Sequence, residues 1–308
     1  MIRLFHFPNH KIDTGRFDHL LHGEVVEQLE RNIADYCGAK YAVSVSSATS
    51  AIYLSLLDKY TELVIPSCIP PVVINAIIAS GNKFKFCDNV EWIGHSYILK
   101  HFGDYKIVDS AQRLERNQYK SDCKNNDLLI FSFYPTKPLP GIDGGIILSN
   151  DKTKIDALRI LSRNGQTDEK LNWDRSHLMY GHKMYMNSMQ AYIVNKNLEV
   201  YDKKMERCSR IQEYYNNLFN TNNTSKHLFR VNVENRLKLK NLLRSQEIGF
   251  GIHYNALHLN PFYGSKKMKL DRSEFESDTT ISLPFHSHLK YKDIKKIYSI
   301  VRPYVIKT

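Results

Sequence analysis

The stretch FSFYPTKPLPGIDGG, residues 131–145, decides how the rest of the chain is read. It begins inside one apolar run, LLIFSF (128–133), and ends inside another, GIILS (145–149). Both runs have the length and bulk of buried strands. Between them stands a single lysine, Lys137, with Pro135 two residues ahead and Pro138 directly after it. A residue before proline is kept out of helix, so the lysine sits on a stiff connection at the edge of the core. An amine held this way is suited to forming an imine with an aldehyde.

Outward from this point the chain alternates strands and helices. EVVEQLERNIADYC (24–37) carries Val26, Leu29, Ile33 and Cys37 at helical spacing, with charges opposite. YAVSVS (41–46) is strand-like, SSATSAIYLSLL (46–57) turns helical, LVIP (63–66) is a short strand, and NAIIAS (75–80) is helical. FKFCD (84–88) and YKIVD (105–109) add further strands. This alternation predicts an α/β fold with a mostly parallel central sheet flanked by helices. Residues 186–218 read as helix, and the polar NTNNTSK (220–226) breaks the pattern. We therefore divide the chain into a large domain, 1–218, and a small C-terminal α+β domain, 219–308. The latter reads as strand (HLFRVNV), helix (NRLKLKNLLRSQ), strand (GIHYN) and a final helix (KYKDIKKIYSIV).

The 308 residues allow a sizeable core. No apolar run is long enough to span a membrane, and the start, MIRLFHFPNHK, lacks the features of a signal peptide. The five scattered cysteines include no CxxC, which fits reduced thiols rather than a zinc site. The expectation is a cytoplasmic protein with no metal. A net charge of +11 admits a nucleic-acid partner, but the lysines form no stripe and no recognition motif accompanies them. No nucleic-acid partner is expected; an acidic small substrate would benefit from the same field.

In an open sheet of this kind, ligands gather at the carboxyl ends of strands. Those ends carry Ser46-Ser47-Ala48-Thr49-Ser50, Asp109, Ser132 and, just beyond, Lys137. Hydroxyl residues opening a helix make an anion cradle, because free N–H groups and the helix dipole face the ligand. An aspartate can hold a protonated ring nitrogen. Phosphate, protonated ring and aldehyde together describe pyridoxal 5′-phosphate (PLP).

At this point the sequence resembles the DegT/DnrJ/EryC1/StrS family of sugar aminotransferases, which has the type I fold of PLP-dependent transferases. VSSATSAIYL resembles its phosphate turn, IVDSAQ its E-D-A-A-Q, and FSFYPTKPLPGIDGG its F-S-F-H-x-T-K…G-E-G-G. YGHKMYMNSMQAYI, KHLFRV, GIHYNALHLNPFY and ISLPFHSHLKYKDI follow in the family's order. The resemblance implies that Lys137 bears the cofactor and then serves as the base, and that Asp109 pairs with the pyridinium nitrogen. Gln112 would lie beside the ring, while Thr49, Ser50 and Ser132 bind phosphate. Lys183, where the family has an asparagine, would reach the neighbouring subunit's phosphate in a homodimer. Tyr254 and His258 would line the substrate pocket.

The implied reaction moves an amino group from an amino acid, by resemblance glutamate, to a keto group on a nucleotide-linked deoxysugar. A related dehydratase activity replaces the lysine by histidine, so Lys137 speaks against it. A binding or regulatory subunit without catalysis is the other alternative. It draws on two departures, Ala48 in place of glycine and Pro70 near the usual position of an aromatic ring that stacks on the cofactor.

Overall fold

The two apolar runs around Lys137 are adjacent strands at the centre of a sheet. The computed structural model describes all residues except 8–9, 13–16, 18–22, 168–174, 265–267 and 307–308. The chain begins with α1 (Glu24–Cys37), β1 (Tyr41–Val45), α2 (Ala48–Leu56), β2 (Glu62–Pro66), α3 (Pro71–Ala79) and β3 (Lys83–Cys87). It continues with β4 (Tyr97–His101), β5 (Lys106–Asp109), α4 (Gln118–Asp122), β6 (Leu128–Ser132), β7 (Gly145–Ser149) and α5 (Lys152–Ser162). The remainder comprises α6 (Ser188–Leu198), α7 (Tyr201–Phe219), β8 (Phe229–Asn232), α8 (Arg236–Ser245), α9 (Asp271–Thr279), β9 (Thr280–Leu283) and α10 (Tyr291–Val301).

The central sheet has the order β1-β7-β6-β5-β4. Its side chains alternate between two cores, as a pleated strand requires. In β6, Leu128 and Ile130 enter one core and Leu129 and Phe131 the other; in β7, Ile147 faces opposite to Ile146 and Leu148. Burial on both faces explains why these strands read as unbroken apolar runs. Helices α2, α3 and α5 cover the first face, and α1 with α6 covers the second. The apolar stripe of α1 is buried, and Gly38 ends the helix at φ 76°, where a side chain would be strained.

The sheet is mixed, which corrects the expectation of a mostly parallel one. β5 and β6 are parallel, as are β2 and β3 in a separate pair, whereas β1–β7, β6–β7 and β4–β5 are antiparallel. One of these antiparallel pairs, β4–β5, comes from a strand that sequence patterning did not find. YILKH (97–101) forms β4, and the turn 102–105 returns the chain directly to β5, with Phe102 N–H donating to Tyr105 O. A parallel crossover needs about a dozen residues or more, so this connection allows only a hairpin.

Other differences are local. α3 starts at Pro71, earlier than the NAIIAS reading, because proline suits the first helical position. The helical stretch 186–218 is two helices, parted at Glu199 and Val200. GIHYN is not a strand; Gly251 makes one bridge, to Ser282. A third core gathers Cys208, Ile211 and Tyr215 of α7 with β8, α8, β9 and α10, so packing crosses residue 218. Among the described residues, no helix is long and apolar enough to cross a membrane.

Candidate active site

Beyond β6 the chain makes a tight turn, with Lys137 N–H donating to Tyr134 O and Gly141 N–H to Phe133 O. This turn brings Lys137 to the wall of a cavity of about 510 Å³. That volume falls within the roughly 300–1,000 Å³ of small-molecule and cofactor sites. Asp109, Gln112 and Ser132 also line it, with Ser47, Ala48 and Thr49 at the head of α2. The elements that deliver these residues are the ends of β5 and β6 and the start of α2. They meet because the three elements are neighbours in the fold.

α2 is capped by Ser47, whose Oγ accepts from Ser50 N–H at 3.0 Å. Ala48 is the first helical residue and does not adopt a positive φ, so the alanine is accommodated. The close approach of this helix to the sheet depends on Gly145 of β7. A Cβ there would lie 2.5 Å from Ala48 N and 2.6 Å from Ser47 C. Gly145 pairs with Val45 on one side and Ser132 on the other, so it sits beneath the proposed anion cradle. Gly145→Ala should cost about 1–3 kcal/mol through overpacking. The matching loss of phosphate affinity is read by titrating inorganic phosphate; unchanged melting temperature and affinity would contradict the contact.

The electrostatics of the site follow from burial. Removal from water lowers the pKa of Lys137 to about 8, with Asp109 pulling the other way. Asp109 is 4% exposed. Burial raises its pKa, opposed by the Ala111 N–H, the Tyr97 hydroxyl and Lys137. Those two donors lie 2.9 Å from Oδ1 and Oδ2 respectively. Gln112 is held at both ends, accepting from Gly94 N–H at 2.7 Å and donating to the Tyr254 hydroxyl at 2.9 Å. His253 also lines the cavity, and burial with the Lys137 and Arg230 charges depresses its pKa to about 4. It therefore stays neutral and adds no positive charge beside the lysine.

Three expected site residues stand outside this cavity. The Ser50 hydroxyl is engaged with Ser46 and Ser47, at 2.9 and 3.0 Å, and does not line it. His258 is 0% exposed, with Nδ1 2.7 Å from Ser67 Oγ and Nε2 3.4 Å from Glu274. It braces the loop from behind, and in HYNALH it is His253 that joins Tyr254 at the wall. Lys183 is exposed, on a segment tied to the end of β1 through the Val45–Tyr185 bridge.

Sequence patterning also missed Trp92. It lines the cavity with Pro70, Val72 and Val73, its ring parallel to that of Tyr254 at 6.0 Å and 4°. An aromatic ring thus does line the cavity beside Pro70, supplied from another loop. An aromatic residue in the short stretch after β3 was the available signal. Among the described residues, no grouping of three or more His, Cys, Asp or Glu side chains is placed to hold a metal ion.

A model described as the DegT/DnrJ/EryC1/StrS aminotransferase family matches residues 12–92 and 103–302. The chain belongs to this family. Similar relatives of this family member include the UDP-4-amino-4,6-dideoxy-N-acetyl-beta-L-altrosamine transaminase of Campylobacter jejuni, 24% identical, covering 89% of this chain and 88% of the relative. The UDP-2-acetamido-2-deoxy-3-oxo-D-glucuronate aminotransferase of Pseudomonas aeruginosa is likewise 24% identical, over 93% of this chain and 94% of its own. Among solved structures, the aminotransferase TlmJ from Streptoalloteichus hindustanus superposes with a TM-score of 0.81 at 21% identity, over 98% of both chains. DesV of S. venezuelae gives 0.79 at 23% identity, over 94% of this chain and 91% of that one. The type I fold expected from the sequence is the fold of these structures.

Proposed function

We propose that the chain moves an amino group from an amino acid, with L-glutamate as donor, to the keto group of a nucleotide-linked deoxysugar, using PLP. The observation that carries this reading is the convergence of Lys137 and Asp109 on one cavity with the N-terminus of α2. The names of the relatives support the substrate class, since both curated proteins cited are described as transaminases of UDP-linked sugars.

The donor set fits PLP. Ser47, Ala48, Thr49 and Ser132 would hold the phosphate, Asp109 the ring nitrogen, Gln112 the ring edge, and Lys137 the aldehyde carbon. PLP supplies a carbon that condenses with amines and a cationic ring that takes up an electron pair when a substrate C–H bond breaks. The protein's own tasks are then few. Lys137, depressed toward neutrality, would offer a free amine to the cofactor's aldehyde with loss of water and, once displaced by the donor's amine, would take the proton from the donor's α-carbon at Nζ. Asp109, buried beside it, would keep a proton on the ring nitrogen through an ion pair. Trp92, Pro70 and Val73, on the cavity wall, would help exclude water from the bound ring.

We also infer a homodimer in which Lys183 contacts the phosphate bound by the partner copy. Leu178, Met179 and Tyr180, on the same segment, are 57%, 49% and 99% exposed, and Tyr134 and Ile142 of the Lys137 loop are 53% and 50% exposed. Exposed apolar side chains near Lys183 and on the Lys137 loop support burial against another copy. The +11 charge favours an acidic nucleotide-linked substrate, and the cytoplasm is the place of work we propose.

The test is spectroscopic. PLP-loaded protein should absorb visible light, and L-glutamate should abolish that band as its amino group is taken up. A panel of nucleotide-linked keto sugars should then restore the band with the matching acceptor. A band unmoved by every amino acid overturns the assigned reaction.

A further inference from the structure

Asp109 has two protein donors of different origin. The Ala111 N–H comes with the turn that ends β5, two residues away. The Tyr97 hydroxyl comes from β4, whose first residue is paired directly with Asp109 in the antiparallel register. Facing residues in such a ladder lie close on the same side of the sheet, which lets the phenol reach the carboxylate. Residues 93–102, which contain β4, fall between the two stretches matched by the family model. Tyr97 and the rest of β4 therefore lie in a segment that the family model does not match.

The same segment touches the site at two further points. Gly94 N–H fixes the Gln112 amide at 2.7 Å, and the Trp92 ring meets Tyr97 edge-on at 4.8 Å while lining the cavity. Tyr97 is 8% exposed, and burial together with the adjacent carboxylate keeps its proton on the oxygen, so it remains a donor. A carboxylate offers about four acceptor positions, and two are used here.

We propose that Tyr97 is a positioning residue for the cofactor, its hydroxyl fixing the Asp109 carboxylate so that the remaining lone pairs meet the ring nitrogen. The proposal rests on the PLP reading of the cavity. Tyr97 donates to the anionic form of Asp109 and so favours it over the protonated form that burial alone would promote. Its effect reaches the ligand only through the ring N–H.

Tyr97→Phe keeps the buried ring and removes the donor. Equilibrium dialysis of apoprotein against PLP and against 1-deaza-PLP, in which carbon replaces the ring nitrogen, separates the possible roles. Wild-type protein should bind both. The variant should lose about tenfold in affinity for PLP, in line with a hydrogen bond to a charged group, and less than about twofold for the deaza compound. In an Asp109→Asn background, Tyr97→Phe should cost no further PLP affinity. Equal losses for the two ligands would reduce Tyr97 to a packing residue and overturn the proposal, as would unchanged PLP affinity. Wild-type protein that binds neither compound overturns the cofactor reading itself, and this proposal with it.

Discussion

Lys137→Ala should hold no covalently attached PLP and should turn over about 10⁴-fold more slowly, because one side chain supplies both the attachment and the proton transfer. Borohydride reduction followed by peptide mapping reads the attachment directly. In the wild-type protein the tagged peptide should span FSFYPTKPLPG. The residue leaves a second signature in its pH dependence. A lysine at about 8 is neutral in roughly a tenth of molecules at pH 7, far more than an ordinary lysine near 10.4. Only the neutral amine is a nucleophile, so capture of PLP by apoprotein should rise about tenfold per pH unit and level off above pH 8. A midpoint near the ordinary lysine value would show that the amine is solvated and not held as the cavity holds it. Lys137→Arg retains a cation without a usable nucleophile and should resemble the alanine variant.

The parts of this site that were legible in the sequence are those set by local chain chemistry. Apolar runs on either side of Lys137 mark strands covered on both faces, and the prolines fix the connection between them. The β5 end places Asp109, and the serine run opening α2 places the helix N-terminus. Residues set by long-range pairing were not legible. β4, with the sequence YILKH, was not read as a strand, and its hairpin with β5 is what gives it a face to bury. Missing β4 hid Tyr97 and one of the antiparallel pairs, and left Trp92 without a neighbour to explain it. His258 failed for a related reason. A loop histidine reads the same whether it points into a cleft or back toward Ser67, and only the packed fold decides.

Asp109→Asn should lower turnover by about 10²–10³-fold while leaving the fold intact, which separates its chemical role from a structural one. The amide matches the carboxylate in shape and can still accept from Ala111 N–H. It carries no charge, so it cannot favour the protonated ring that draws electrons from the breaking C–H bond. Stability should respond in the opposite direction to activity. Burial raises the pKa of Asp109 in the folded apoprotein, so the folded state holds that proton more tightly than the unfolded chain does. As pH rises above the unfolded carboxylate value, the unfolded chain ionises first and folding loses free energy. Asparagine abolishes that loss. The apoprotein of Asp109→Asn should therefore melt at or above the wild-type temperature at pH 7, and the gap should close toward pH 3, where both states of the wild type are protonated. A variant that melted lower at pH 7 would mean that Tyr97 and Ala111 stabilise the ionised carboxylate enough to outweigh its burial, contrary to the direction read from the structure.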